Sequence, residues 1–132
     1  MHLAATRIIT DDVDALVAFY ERVTGATATR LHPLFAEVRT DTGTLAIASS
    51  ATIPLLGEDA AAPRANRSVI LDLLVDDVDA VYTTLQGVVE TFVNEPTTMP
   101  WGNRSLLFRD PDGNLVNVFT PTTADASKRV AL

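Results

Sequence analysis

The sequence predicts an α+β protein built from two tandem βαβββ units. Two observations carry that prediction. The pentapeptide DDVDA occurs at 11–15 and again at 76–80, each time after a β-like apolar run and at the head of a helical pattern. Each half then continues with three strand-like segments, the last two joined by a glycine-containing turn, TDTG at 40–43 and DPDG at 110–113.

The opening strands are LAATRIIT at 3–10 and SVILDLLV at 68–75. In the helices that follow, Val13, Leu16, Val17 and Tyr20 recur at helical spacing, as do Val78, Val81, Tyr82 and Leu85. Each helix is expected to stop at a glycine, Gly25 or Gly87, where a left-handed cap costs little. Asp12 and Asp77 sit at the N-cap positions, and Asp14 and Asp79 in the first turn, where the helix dipole favours negative charge. A ligand-binding or catalytic role for these aspartates is the competing reading. The remaining strands are expected at 26–31, 35–40 and 44–49 in the first half, and at 88–93, 104–110 and 114–120 in the second.

These elements give a single domain over 1–121, with one module at 1–50, a linker at 51–67 and a second module at 68–121. The linker, ATIPLLGEDAAAPRANR, has prolines and a glycine but no periodicity. The polar tail 122–132 is expected to be mobile unless Val130 and Leu132 dock it.

Composition narrows the function. The 132 residues suffice for one domain with a proper core, and an apolar fraction of 47% is that of a globular chain. A formal charge of -7 repels phosphate backbones, so nucleic acid is not an expected partner. The absence of cysteine removes disulfides, thiolate metal sites and a cysteine nucleophile. There is no apolar run of the ~20 residues that a membrane helix needs, and MHLAATRIITDD has no basic flank leading into a long apolar stretch. A cytoplasmic protein with no membrane partner is the expectation.

The stretch MPWGNRSLLFRDPDGNLVNVFTP at 99–121 places a tryptophan-glycine loop, a strand, a DPDG turn and a final strand in succession. The stretch DDVDALVAFYERVTG at 11–25 places an aspartate before a phenylalanine-tyrosine pair and a closing glycine. In both respects the chain resembles the vicinal oxygen chelate superfamily, which includes glyoxalase I, extradiol dioxygenases and bleomycin-resistance proteins. The resemblance covers residues 3–121. It implies an open, cupped, eight-stranded mixed sheet with helices outside, a ligand in the cup, and a homodimer.

Metal-dependent members of that superfamily hold one divalent ion with side chains of the first and last strands of each unit. The resemblance puts the first-strand ligand seven residues before the capping aspartate, at Ala5 and Ile70, and the last-strand ligand four residues after the turn glycine, at Ile47 and Asn117. Three of these have no donor atom, and asparagine offers only a neutral carbonyl oxygen. His2 is an odd number of residues from Ala5, so it points to the other face, and His32 lies beside Pro33 in a turn. No metal and no other cofactor are therefore expected.

Strand alternation names the residues expected to line the cup. Arg7 and Asp72 stand at matching positions of the two first strands, which the resemblance places side by side. They are read either as a buried ion pair joining the halves or as contacts to a polar ligand. Asn117 is a lone amide in an apolar strand, and Phe119 shares its face. Trp101 is the only tryptophan, and it is placed either to stack on a planar ligand or to pack against a strand edge. Arg104, three residues later, is either an anion-binding group or a surface arginine. The parity of Glu37 is undecided.

No nucleophile–base pair stands out. The sequence reading is thus a metal-free protein of the glyoxalase/bleomycin-resistance type that binds a drug or metabolite through Arg7, Asp72, Trp101, Arg104, Asn117 and Phe119. The alternatives are a glyoxalase-like isomerase, epimerase or lyase with a non-standard site, and a regulatory domain whose cup is filled by its own side chains.

Overall fold

The computed structural model describes residues 1–130. The chain divides into two compact units, Met1–Asn66 and Arg67–Leu132. The first contains β1 (Thr6–Thr10), α1 (Val13–Thr24), β2 (Thr29–His32), β3 (Phe35–Arg39), β4 (Thr44–Ser49) and, after a short 3-10 turn, α2 (Ile53–Leu56). The second contains β5 (Ile70–Leu74), α3 (Val78–Thr84), β6 (Thr97–Thr98), β7 (Asn103–Arg109), β8 (Leu115–Pro121) and α4 (Ala124–Arg129). Each unit is an open four-stranded mixed sheet, in the orders β1-β4-β3-β2 and β5-β8-β7-β6. The first strand of each runs parallel to the last, which is the pairing a β-α-β connection gives.

The two aspartates of the repeat cap their helices as expected. The amide of Ala15 donates to Asp12 Oδ1 at 3.0 Å and that of Ala80 to Asp77 Oδ1 at 3.2 Å. α1 ends at Gly25, whose φ of 73° is left-handed. α3 ends earlier than its glycine suggests: Leu85 is its C-cap, and Gly87 supplies the positive φ in the turn beyond it.

In each unit an ion pair fixes which sheet face the helix covers. Arg30 of β2 bonds Asp14 of α1, and Arg104 of β7 bonds Asp79 of α3. Arg30 is in register with Ala36, so α1 lies over Ala36, Val38 and Ile47, all fully buried. Arg104 shares a face with Leu106, Phe108, Val116 and Val118, the buried centre of the second unit. Each such side chain contributes about 1.5–3 kcal/mol by leaving water. Tyr82, Phe92 and Phe108 extend this layer in edge-to-face contacts, with centroids 5.1 and 6.1 Å apart.

The edge strand expected at 88–93 is not continuous. Only Phe92 bridges Phe108 there, and pairing resumes at Thr97–Thr98 opposite Ser105 and Arg104. Between them Pro96 has no N–H to give, and the Asn94 side chain takes over as acceptor, receiving the Leu107 amide at 2.7 Å. The expected mobile tail is instead partly helical. Thr123 caps α4 through the Ala126 amide, Asp125 occupies its first turn and Lys128 and Arg129 its last, and Ala126 is buried. Leu132 lies outside the described residues. Among the described residues no helix is long and apolar enough to cross a membrane.

Candidate functional site

In the second unit the sheet face opposite α3 carries the residues of interest. Asp72 on β5 is in register with Asn117 on β8, and Asn117 with Leu107 on β7. Asn117 Nδ2 donates to Asp72 Oδ1 at 3.0 Å. That bond settles the orientation of the amide, because a carboxylate can only accept. Asn117 Oδ1 then points elsewhere, and it is buried without a hydrogen-bond partner among the described residues. Buried carbonyl oxygens are rarely left so, and each costs about 1–3 kcal/mol.

Apolar groups surround this pair. Ile70 and Leu74, two residues to either side of Asp72, are 48% and 45% exposed. Leu115 and Leu107 are half-buried, and Phe119 is buried. Phe119 is in register with the buried Ser105, and beyond that pair Asn103 holds a second Oδ1 that is buried without a partner. Asn103 was not singled out from sequence, although its alternation with Ser105 and Leu107 puts it on this face. Arg109 also lies on this face, and its guanidinium donates to the Gly113 carbonyl at the hairpin end (3.1 Å).

Arg104 and Trp101 are held differently. Arg104 is in register with Thr120, on the opposite face from Asn117. Its Nε and Nη2 bond the two oxygens of Asp79 at 2.9 Å each, and Nη1 donates to Thr98 Oγ1 at 3.2 Å. The Asp79 hydrogen bond raises the guanidinium pKa, and Arg104 holds the Asp79 carboxyl below its usual range. Trp101 is 60% exposed, in a loop whose carbonyl accepts from Arg129 Nη2 of α4 at 2.6 Å.

In the first unit Arg7 is exposed, and its guanidinium lies over the Phe35 ring, 5.5 Å from the centroid. Asp72 too is exposed, whereas the sequence reading expected both groups to be buried. Arg7 is in register with Ala46, and Ala46 with Glu37, so Glu37 shares the Arg7 face and accepts from Arg39 Nε at 2.8 Å.

The register of this unit corrects one position. Ile47 was expected to face as Asn117 does, but it pairs with Ile8 on the α1 side, and Ala46 occupies the position matching Asn117. The cause is hairpin length: four residues separate Arg39 from Thr44, and five separate Arg109 from Leu115. One residue fewer turns every side chain of the strand over.

The side chains do not fit a divalent-ion site. Ala46 has no donor, as Ile47 had none, and Ala5 and Ile70 supply none either. Among the described residues no three His, Cys, Asp or Glu side chains come together to hold an ion. His32 Nδ1 is taken up within its own turn, accepting the Leu34 amide at 3.1 Å. The chemistry on offer is recognition: fixed hydrogen-bond acceptors set among apolar side chains.

Residues 2–118 match the family model described as the Glyoxalase/Bleomycin resistance protein/Dioxygenase superfamily. Among solved structures, the chain is similar to a glyoxalase/bleomycin resistance protein/dioxygenase from Nocardioides, with 22% identity, a TM-score of 0.77, and 94% of this chain and 85% of that one covered. It is similar also to a family enzyme from Burkholderia phytofirmans, with 18% identity, a TM-score of 0.80, and 89% and 97% covered. A superfamily member from Sphaerobacter thermophilus aligns with 26% identity, a TM-score of 0.68, and 91% and 97% covered. No curated protein matches the chain.

Proposed function

This chain belongs to the Glyoxalase/Bleomycin resistance protein/Dioxygenase superfamily, and from that premise we propose that it is a small-molecule binding protein that works without a metal ion. The observation that carries the proposal is the Asp72–Asn117 pair, oriented by its own hydrogen bond and ringed by partly exposed Ile70 and Leu74. Apolar surroundings give affinity and a few fixed polar atoms give orientation, which is how organic ligands are held. Trp101, exposed in its loop, adds a large aromatic surface for a planar ligand. Sequestration needs no chemistry, so a site without ion ligands loses nothing by it. On this reading the protein acts in the cytoplasm as a homodimer, with neither nucleic acid nor membrane as partner.

A thermal-shift screen of the purified chain against planar antibiotics, small carboxylates and divalent metal salts tests the proposal. A ligand bound only by the native state raises the melting temperature. Stabilisation by organic compounds is the expected result. Stabilisation by a divalent ion alone, with a stoichiometric ion after purification, would overturn it. The alternative, an isomerase, epimerase or lyase acting beside a carbonyl, has Asp72 as its one suitably open carboxylate base on this face. Conversion of a bound ligand on incubation, lost in Asp72→Asn, would favour that reading.

A further inference from the structure

We propose that the Asp72–Asn117 pair recognises a positively charged group with two N–H donors, an amidinium or guanidinium, carried on an apolar body. The inference rests on the binding reading above and narrows its ligand class. Three observations lead to it.

The first is that the pair presents acceptors and nothing else. Asn117 spends an Nδ2 hydrogen on Asp72 Oδ1 at 3.0 Å. What faces outward from the two side chains is the remaining capacity of the carboxylate and the Asn117 Oδ1, which is buried and has no partner among the described residues. A ligand that accepts hydrogen bonds finds no donor aimed at it. A ligand that donates satisfies an oxygen that is otherwise left wanting.

The second is spacing. Asp72 and Asn117 are directly in register on neighbouring parallel strands, so their oxygens lie side by side across one inter-strand gap. A planar fork of N–H groups spans two such oxygens at once, and a charged donor makes the stronger bonds to a carboxylate. A single hydroxyl cannot engage both.

The third is charge and its setting. Asp72 is exposed and flanked on its own strand by Ile70 and Leu74, with Leu107 across Asn117 on β7. The cation nearest in register on this face, Arg109, is turned to the Gly113 carbonyl at the hairpin end. The chain as a whole carries a formal charge of -7, which draws cations and repels anions. Apolar walls with one carboxylate among them suit an apolar cation.

Three probes of one shape and different charge make the test: benzamidine, benzamide and benzoate, titrated calorimetrically into the full chain. Benzamidine is expected to bind about tenfold or more tightly than benzamide, with benzoate weakest. Asp72→Asn removes the carboxylate at an exposed position, and is expected to abolish the preference for benzamidine over benzamide. Equal or tighter binding of benzamide or benzoate would overturn the inference while leaving the binding function standing. An unchanged benzamidine preference in Asp72→Asn would overturn it as well, by moving the cation elsewhere. Failure of all three probes overturns the inference alone when the wider screen finds another stabilising organic ligand, and both readings when it finds none.

Discussion

Arg104 grips Asp79 with two hydrogen bonds, Nε to Oδ2 and Nη2 to Oδ1, both 2.9 Å long, so that β7 holds the first turn of α3. These bonds hold the Asp79 carboxyl below its usual range. A carboxyl depressed in the folded state contributes stability that is complete above its unfolded pKa and is lost as pH falls through the folded one. Arg104→Ala is therefore expected to lower the melting temperature at neutral pH, and the gap to the parent chain should close in acid. Because the pair is exposed, the effect should be small and should shrink with added salt. Melting curves of both proteins across the acid range check this. A gap of the same size well below the carboxylate range would mean that Arg104 acts through packing instead.

The hairpin that sets the register of Asn117 depends on Asp110. Its Oδ1 accepts the amides of Asp112 and Asn114 at 2.9 Å each, and its Oδ2 accepts Asn114 Nδ2 at 2.8 Å. Asp110 and Asn114 are both buried, so Asp110→Ala strands donors that water reaches poorly. The expected cost is about 3 kcal/mol, read as a lower denaturant midpoint at unchanged slope. Asp110→Asn should fall between, since it keeps an acceptor. A loss under about 1 kcal/mol for the alanine variant would show the turn to be held by its backbone alone.

Gly102 is required by its surroundings. Its φ is 92°, and a Cβ there would stand 2.5 Å from Thr123 Oγ1, the atom that caps α4. Gly102→Ala therefore strains the backbone and displaces a cap together. It should cost more than about 1 kcal/mol, with a change in Trp101 fluorescence, because the Arg129 bond to the Trp101 carbonyl depends on α4. Unaltered stability and emission would show that α4 is not docked on this loop.

How far the sequence foretold this structure turns on single residues. Asp12 and Asp77 were legible because a cap and the first turn lie at a fixed local spacing, which tertiary contacts do not alter. Asp72, Asn117 and Phe119 were correctly assigned to one face because the parity of β5 and β8 follows from alternation. Ile47 was misplaced because alternation carries no memory of a missing residue in the turn before it. The strand at 88–93 was overcalled because apolar content does not reveal the break that Pro96 imposes. α4 was missed although Thr123, Asp125, Lys128 and Arg129 form a capped, charge-ordered helix signature; the polar composition of the tail outweighed it. The ion pair of Arg104 with Asp79 joins residues 25 apart in sequence, and no local pattern announces it.

Chelation offers a direct check on the donor set. With alanine and isoleucine at the positions that would have to grip an ion, prolonged dialysis against EDTA should leave the melting temperature unchanged. Restoring zinc or manganese should not raise it. A drop on chelation, recovered by one particular ion, would point to ligands outside the strands compared above.

Trp101 provides the separation of binding from folding that Phe119 cannot. Phe119 is buried, so truncating it damages the core and the site together. Trp101 is 60% exposed, and the bond that its loop makes to Arg129 uses the backbone carbonyl, which any substitution keeps. Trp101→Ala should thus shift stability by no more than about 0.5 kcal/mol. If the indole stacks on a planar ligand, its loss should weaken that ligand by roughly 1 kcal/mol or more, about fivefold in Kd. Trp101→Phe should recover part of the loss, since a smaller ring keeps a stacking face. Denaturation curves and titrations on the three proteins distinguish the cases. Equal affinity in all three would remove Trp101 from the site, and a matching fall in stability would mean that the ring serves the fold.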